Sequence, residues 1–165
     1  FNRRVVKTGL FPNGSGVVIE KGLIVTNFHV ISDAFNQNQE LIVENHLGKT
    51  VKTQSLGFDS EADIAVLGII DSIDLKPFKI RKNIDQVKVG ESVIAIGNPQ
   101  GLGQSFSKGI VSAINRTFQD KKGNFIQTDA SINPGNSGGA LIDDKGRLLG
   151  VVNAVSYTHL RAHET

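Results

Sequence analysis

The chain has 165 residues, a formal net charge of +2 and no cysteine, with 39% hydrophobic and 21% charged residues. This suits one folded unit with a sizeable core, although paired barrels usually run longer. Scattered Lys and Arg give no basic face for nucleic acid or an anionic membrane. The lack of Cys excludes disulfides and thiolate metal sites, and no apolar run approaches the ~18 to 20 residues of a membrane span.

Short runs rich in Val, Ile and Leu recur between turn residues. In chain order they are Gly16–Glu20, Leu23–Thr26, Glu40–Asn45, Thr50–Leu56 and Ile64–Ile70. A second series follows at Ser92–Ile96, Phe106–Ile114, Asn124–Thr128, Ala140–Ile142 and Leu148–Val155. Their spacing predicts strands of an all-β sandwich or barrel. Helical periodicity is confined to about one turn at Val30–Phe35 and one near Ile84. The polar stretch Asp71–Val89, which includes Pro77, reads as a connector between the two series. The expected organisation is a segment over 1–13, a first barrel over 14–72, a connector over 73–85 and a second barrel over 86–155. Asn98–Gly103 and Asp120–Asn124 are loops by composition. Ser156–Thr165 breaks the apolar alternation, reads as a non-native tail and is set aside. Beginning at Phe1 without a signal-type segment, the chain reads as part of a longer protein.

Asn133-Pro-Gly-Asn-Ser-Gly-Gly139 surrounds the hydroxyl of Ser137 with glycines. Glycine allows positive φ and a close backbone approach, so this stretch is either an ordinary turn or a loop that faces an incoming carbonyl. A serine hydroxyl becomes a useful nucleophile when a His takes its proton and a carboxylate orients that His. With the tail removed, two histidines remain, His29 and His46. His46 lies in a hairpin-like turn, where a solvated His is the ordinary reading. His29 follows the apolar strand Leu23–Thr26 and is the better base. Asp63 leads into the apolar strand Ile64–Ile70, where a carboxylate is costly unless paired, and it is the candidate acid. Each residue alone has an ordinary structural explanation. Their conjunction, 34 and then 74 residues apart, points to acyl transfer.

Thr26-Asn-Phe-His-Val30, Ala62-Asp-Ile-Ala-Val-Leu67 and Gln127–Gly139 resemble the signatures of HtrA/Deg chymotrypsin-fold serine proteases. Gly14-Ser-Gly16, Val89-Gly-Glu91, Ala95-Ile-Gly-Asn-Pro99 and Gly109-Ile-Val-Ser112 match as well, and the resemblance covers about residues 14–154. It implies an all-β fold of two six-stranded antiparallel barrels, the second truncated at its C-terminal end, with the site in the cleft between them. On this resemblance Ser137 is the nucleophile, His29 the general base and Asp63 its orienting partner. The N–H groups of Gly135 and Ser137, with Asn136 between them, form the oxyanion hole. Asn136 replaces the Asp that pairs with a newly cut N-terminus in digestive relatives.

Ser131 stands where trypsin-type enzymes carry the acid that selects Lys or Arg. With Ile132 on its wall, the substrate pocket is expected to take small or medium aliphatic side chains, and nearby Asp129 is the one acid to watch. The implied activity is serine endopeptidase cleavage of misfolded or unfolded polypeptides in protein quality control, without cofactor or metal. The implied location is the cell envelope or periplasm. A homotrimer formed through the N-terminal segment, further barrel strands and a following PDZ domain also belong to that expectation. Asn98–Gly103 and Asn115–Asn124 would be regulatory loops. The alternative is a catalytically silent protease-like fold that acts as a peptide-binding or chaperone module. An α/β-hydrolase elbow at Gly135-Asn-Ser-Gly-Gly139 is excluded, because a strand rather than a helix follows Ser137 and the chain order of acid and His is wrong.

Overall fold

The computed structural model describes residues 2–7, 12–98, 103–118 and 121–153. Among the described residues, eleven strands form two antiparallel sheets. The first contains β1 (Asn2–Lys7), β2 (Pro12–Glu20), β3 (Leu23–Thr26), β4 (Leu41–Glu44), β5 (Thr50–Asp59) and β6 (Ile64–Ile69). It closes into a barrel in the order β1-β2-β3-β6-β5-β4. Nothing in the sequence pattern predicts β1 as a strand, yet it makes the closure by pairing with β2 on one side and β4 on the other. The first barrel therefore begins within the segment assigned above to 1–13.

The second sheet contains β7 (Ser92–Gly97), β8 (Ser105–Phe118), β9 (Lys121–Thr128), β10 (Ala140–Asp143) and β11 (Leu148–Val151), in the order β11-β10-β7-β8-β9. The architecture is that of a truncated chymotrypsin-like double barrel: the first sheet is closed, and the second, among the described residues, is an open sheet of five strands rather than a six-stranded barrel. Composition places a loop over Asp120–Asn124, but Lys121–Asn124 belongs to β9, and Phe118 pairs with Lys121. Shifted register at three points along β8 and β9 accommodates this long, irregular hairpin.

The strands form where the sequence alternates. In β4, Leu41 and Val43 are buried, and in β5 Val51 and Thr53 are buried between exposed neighbours. Ile24, Val43, Val51 and Leu67 fill the first core together with Ile31 and Ala34 of α1 (Phe28–Asn36). Val93, Ala95, Val111, Leu141 and Leu149 fill the second. A third cluster, with Val17 and Ile19 from β2 against Ile94 and Ile96 of β7, Ala140 and Ile142 of β10 and Leu148, joins the sheets. The connector lies along β11: Leu148 N–H donates to the Lys79 carbonyl at 2.8 Å, and Arg81 N–H donates to the Leu148 carbonyl at 3.0 Å. The residues at the centre of this molecule therefore hold one sheet against the other.

Candidate active site

Strand β3 ends at Thr26, and Asn27, in extended conformation, begins α1. The first N–H groups of any helix lack intrahelical acceptors. Here Asp63 supplies them. Phe28 N–H donates to the Asp63 carbonyl at 3.2 Å, and His29 N–H donates to Asp63 Oδ1 at 2.8 Å. The Asn27 side-chain amide donates to the same Asp63 carbonyl at 3.0 Å. A carboxylate at the positive end of a helix is favourably placed, and Asp63 is only 3% exposed.

Asp63 adopts φ +56°, a left-handed conformation that Asp tolerates better than most residues, at the end of a turn closed by Asp59. Asp59 Oδ1 accepts the N–H groups of Glu61 and Ala62 at 2.9 and 3.0 Å. At the far side of α1, Phe28 stacks on Phe58 with ring centroids 4.3 Å apart, and Phe35 meets Phe58 edge-on at 5.2 Å. The helix that carries His29 is thus fixed at its start by Asp63 and along its flank by β5.

Asp63 Oδ2 lies 2.6 Å from His29 Nδ1. A carboxylate only accepts, so Nδ1 carries the proton and Nε2 is left as the acceptor of the neutral ring. Asn153 donates its side-chain amide to the same Oδ2 at 2.9 Å. One buried carboxylate thus receives the His29 N–H, the His29 ring N–H and a side-chain amide from the other sheet. The sequence pattern does not single out Asn153. Its one signal is an Asn ending the apolar run Leu148–Val152.

Ser137 is 1% exposed and follows a 3-10 turn over Pro134–Asn136, in which Asn136 N–H donates to the Asn133 carbonyl at 2.9 Å. Backbone bonds and close packing seat this loop. The Ser137 carbonyl accepts the Ser15 N–H at 2.8 Å, and Gly138 N–H donates to the Val152 carbonyl at 2.9 Å, one residue before Asn153. The Asn136 side chain lies over Gly97, where a Cβ would collide with Asn136 Oδ1. A Cβ on Gly14 would come within 3 Å of both the Ser137 carbonyl and the Val30 side chain, so the serine loop abuts the helix turn that carries His29. Gly138 is needed twice, by its φ of +83° and by the Ser15 carbonyl oxygen, which occupies the place a Cβ would need.

The structure brings His29 and Asp63 into direct contact and seats the Ser137 loop on the segment that carries Asn153. His46 lies exposed in the β4–β5 turn, whose backbone Asn45 Oδ1 holds through Leu47 and Lys49. The Ser131 carbonyl accepts the Ser107 hydroxyl at 2.7 Å, and Ile132 packs against the second core. The Asp129 carboxylate accepts the Ile110 N–H at 2.7 Å, above Gly109, where a Cβ would collide with it. Among the described residues, no three His, Cys, Asp or Glu converge as a metal site would require. No helix there is long and apolar enough to cross a membrane.

The family description "Trypsin-like peptidase domain" matches residues 14–151. The chain belongs to that family. Among curated proteins, this peptidase domain is 44% identical over 146 residues to the periplasmic pH-dependent serine endoprotease DegQ of Escherichia coli, covering 86% of this chain and 31% of DegQ. It is 43% identical over 156 residues to the serine endoprotease DegS of the same organism, covering 92% of this chain and 42% of DegS. The solved structure of the HtrA-type protease AlgW with a decapeptide superimposes with a TM-score of 0.78 at 40% identity, over 87% of this chain and 43% of AlgW. The peptidase domain therefore spans less than half the length of these HtrA-type relatives.

Proposed function

We propose that this domain is the catalytic unit of an HtrA-type serine endopeptidase that cleaves unfolded polypeptides in the bacterial periplasm. The observation that carries the reading is the double attachment of His29 to buried Asp63, through its backbone N–H and its ring Nδ1. Holding both the main chain and the ring fixes tautomer and direction together, which is what a general base requires. In the reaction His29 Nε2 removes the Ser137 hydroxyl proton as Ser137 Oγ attacks the scissile carbonyl. The resulting imidazolium, stabilised by Asp63, then protonates the leaving amine, and water repeats the sequence on the acyl-enzyme. The N–H groups of Gly135 and Ser137 serve the oxyanion. Asn136 N–H does not serve it while bonded to the Asn133 carbonyl.

Engagement of Asp129 by the Ile110 N–H supports a pocket at Ser131 and Ile132 without a selecting acid, suited to small and medium aliphatic side chains. The names of DegQ and DegS support endoprotease activity, and that of DegQ supports the periplasm. Cleavage of reduced, unfolded casein by the full-length protein tests the reading. Ser137→Ala and His29→Ala should each lose on the order of 10⁴-fold or more in kcat with unchanged circular dichroism. Near-normal turnover in either variant would remove the proposal, and binding without cleavage by the wild type would favour a silent peptide-binding fold.

A further inference from the structure

Ser15 lies in β2 with no exposed surface. Each of its four polar functions is engaged, and each by a different residue. Its N–H donates to the Ser137 carbonyl at 2.8 Å, and its carbonyl accepts the Thr26 hydroxyl at 2.7 Å. Its own hydroxyl donates to the Gly135 carbonyl at 3.0 Å and accepts the Asn98 N–H at 2.8 Å. The backbone pair ties β2 to the serine loop and to the strand leading to His29. The hydroxyl pair does something separate: it connects the end of β7 to the Gly135–Asn136 peptide.

We propose that the Ser15 hydroxyl is a positioning residue for the oxyanion-binding turn, an inference that rests on Ser137 being the nucleophile. Gly135 has no side chain to hold its peptide planes, and a glycine peptide rotates readily. Asn136 fixes the following N–H by bonding back to Asn133, and Ser15 Oγ fixes the Gly135 carbonyl. Because the same oxygen accepts from Asn98, its one proton is directed at Gly135 rather than shared. Removing the hydroxyl strands two backbone groups at once, the Gly135 carbonyl and the N–H of Asn98, itself buried. The Gly135–Asn136 peptide is then held through its N–H alone, and this looser hold misplaces the donors that should meet an oxyanion while leaving His29 and Asp63 untouched.

The test is Ser15→Ala in the full-length protein, with Thr26→Val as comparator, since the latter removes a hydrogen bond from the same buried residue while keeping the Ser15 hydroxyl and its bond to the Gly135 carbonyl. Steady-state cleavage of a peptide and inhibition by a peptide boronate, which mimics the tetrahedral adduct, are measured for both. Ser15→Ala should lower kcat roughly 10- to 100-fold and weaken the boronate by a similar factor, with KM within about twofold of wild type. Thr26→Val should change kcat less than about threefold. Equal losses in the two variants, or a Ser15→Ala loss confined to KM, would overturn the inference and make Ser15 a packing residue. A wild type that neither cleaves nor binds the boronate would instead overturn the protease reading on which it rests.

Discussion

Replacing Asn153 by Ala removes a donor from the Asp63 carboxylate and leaves the two from His29 in place. A hydrogen bond to a charged group contributes about 1.5 to 3 kcal/mol, and the 3% exposure of Asp63 gives water little access to replace it. Because Asn153, just beyond β11, bonds to Asp63, just before β6, part of that energy holds the two halves together, so the domain should be destabilised by about 1 to 2 kcal/mol. The remainder acts on catalysis. The ring proton still has its acceptor, so the tautomer survives, but Asp63 Oδ2 keeps the His29 ring N–H and loses its second donor. A tenfold loss in kcat, about 1.4 kcal/mol, is expected. Asp63→Asn, which replaces the acceptor itself, should lose roughly 10⁴-fold. Thermal unfolding and peptide cleavage, each measured for wild type, Asn153→Ala and Asp63→Asn, separate the two contributions. An Asn153→Ala variant with unchanged stability and turnover would refute the reasoning, as would one that is as inactive as Asp63→Asn.

Three further predictions concern the frame around the site. Asp143 is 2% exposed; burial pushes its carboxyl up, but hydrogen bonds from Arg147 and from the Lys145 N–H outweigh this and hold it below the usual carboxylate range. With a lowered folded pKa, its stabilisation is present above the unfolded value of about 3.9 and is lost as pH falls through the folded one, so the wild type should lose stability between pH ~4 and lower values. Asp143→Asn should cost about 3 kcal/mol at neutral pH and flatten that acid dependence in denaturant titrations. Gly138→Ala should prevent folding, since at φ +83° a Cβ would collide with a backbone oxygen, whereas Gly146→Ala, at φ +75° in open space, should cost only about 1 kcal/mol in the same assay. Asp129→Asn should leave cleavage preference for aliphatic residues unchanged in a peptide-library digest, because its carboxylate is occupied by the Ile110 N–H; a change in the relative cleavage after Lys or Arg would place it in the pocket.

Most of the fold is legible in the sequence because barrel strands advertise themselves by alternation. The Ile64–Ile70 run differs from β6 by one residue, and Leu23–Thr26 matches β3. β1 escapes because Asn2–Lys7 is mostly polar, and its pairing with β2 and β4 follows from closure of the barrel rather than from its own pattern. The β8–β9 hairpin escapes because Asp120–Asn124 consists of turn-forming and charged residues, although the backbone from Lys121 onward pairs regardless of side chain. The run at Leu148–Val155 reads as one strand. In the fold β11 ends at Val151, and two residues later Asn153 bonds to Asp63 instead.

The candidate site divides in the same way. His29 and Asp63 are legible because each stands at the rim of an apolar strand, and the structure adds what spacing could not: Asp63 also caps the helix that carries His29. Asn153 and the Ser15 hydroxyl give no local sign of their roles, since an Asn after a strand and a Ser between glycines have many uses. Those roles depend on partners 90 and 120 residues away, a separation that no local pattern encodes.

The most direct measurement is reaction of the full-length protein with a fluorophosphonate, followed by peptide mapping of the labelled residue. Stoichiometric labelling at Ser137 is expected in the wild type, with none in Ser137→Ala and little in His29→Ala. A folded wild type that stays unlabelled, or carries the label at another residue, would contradict it.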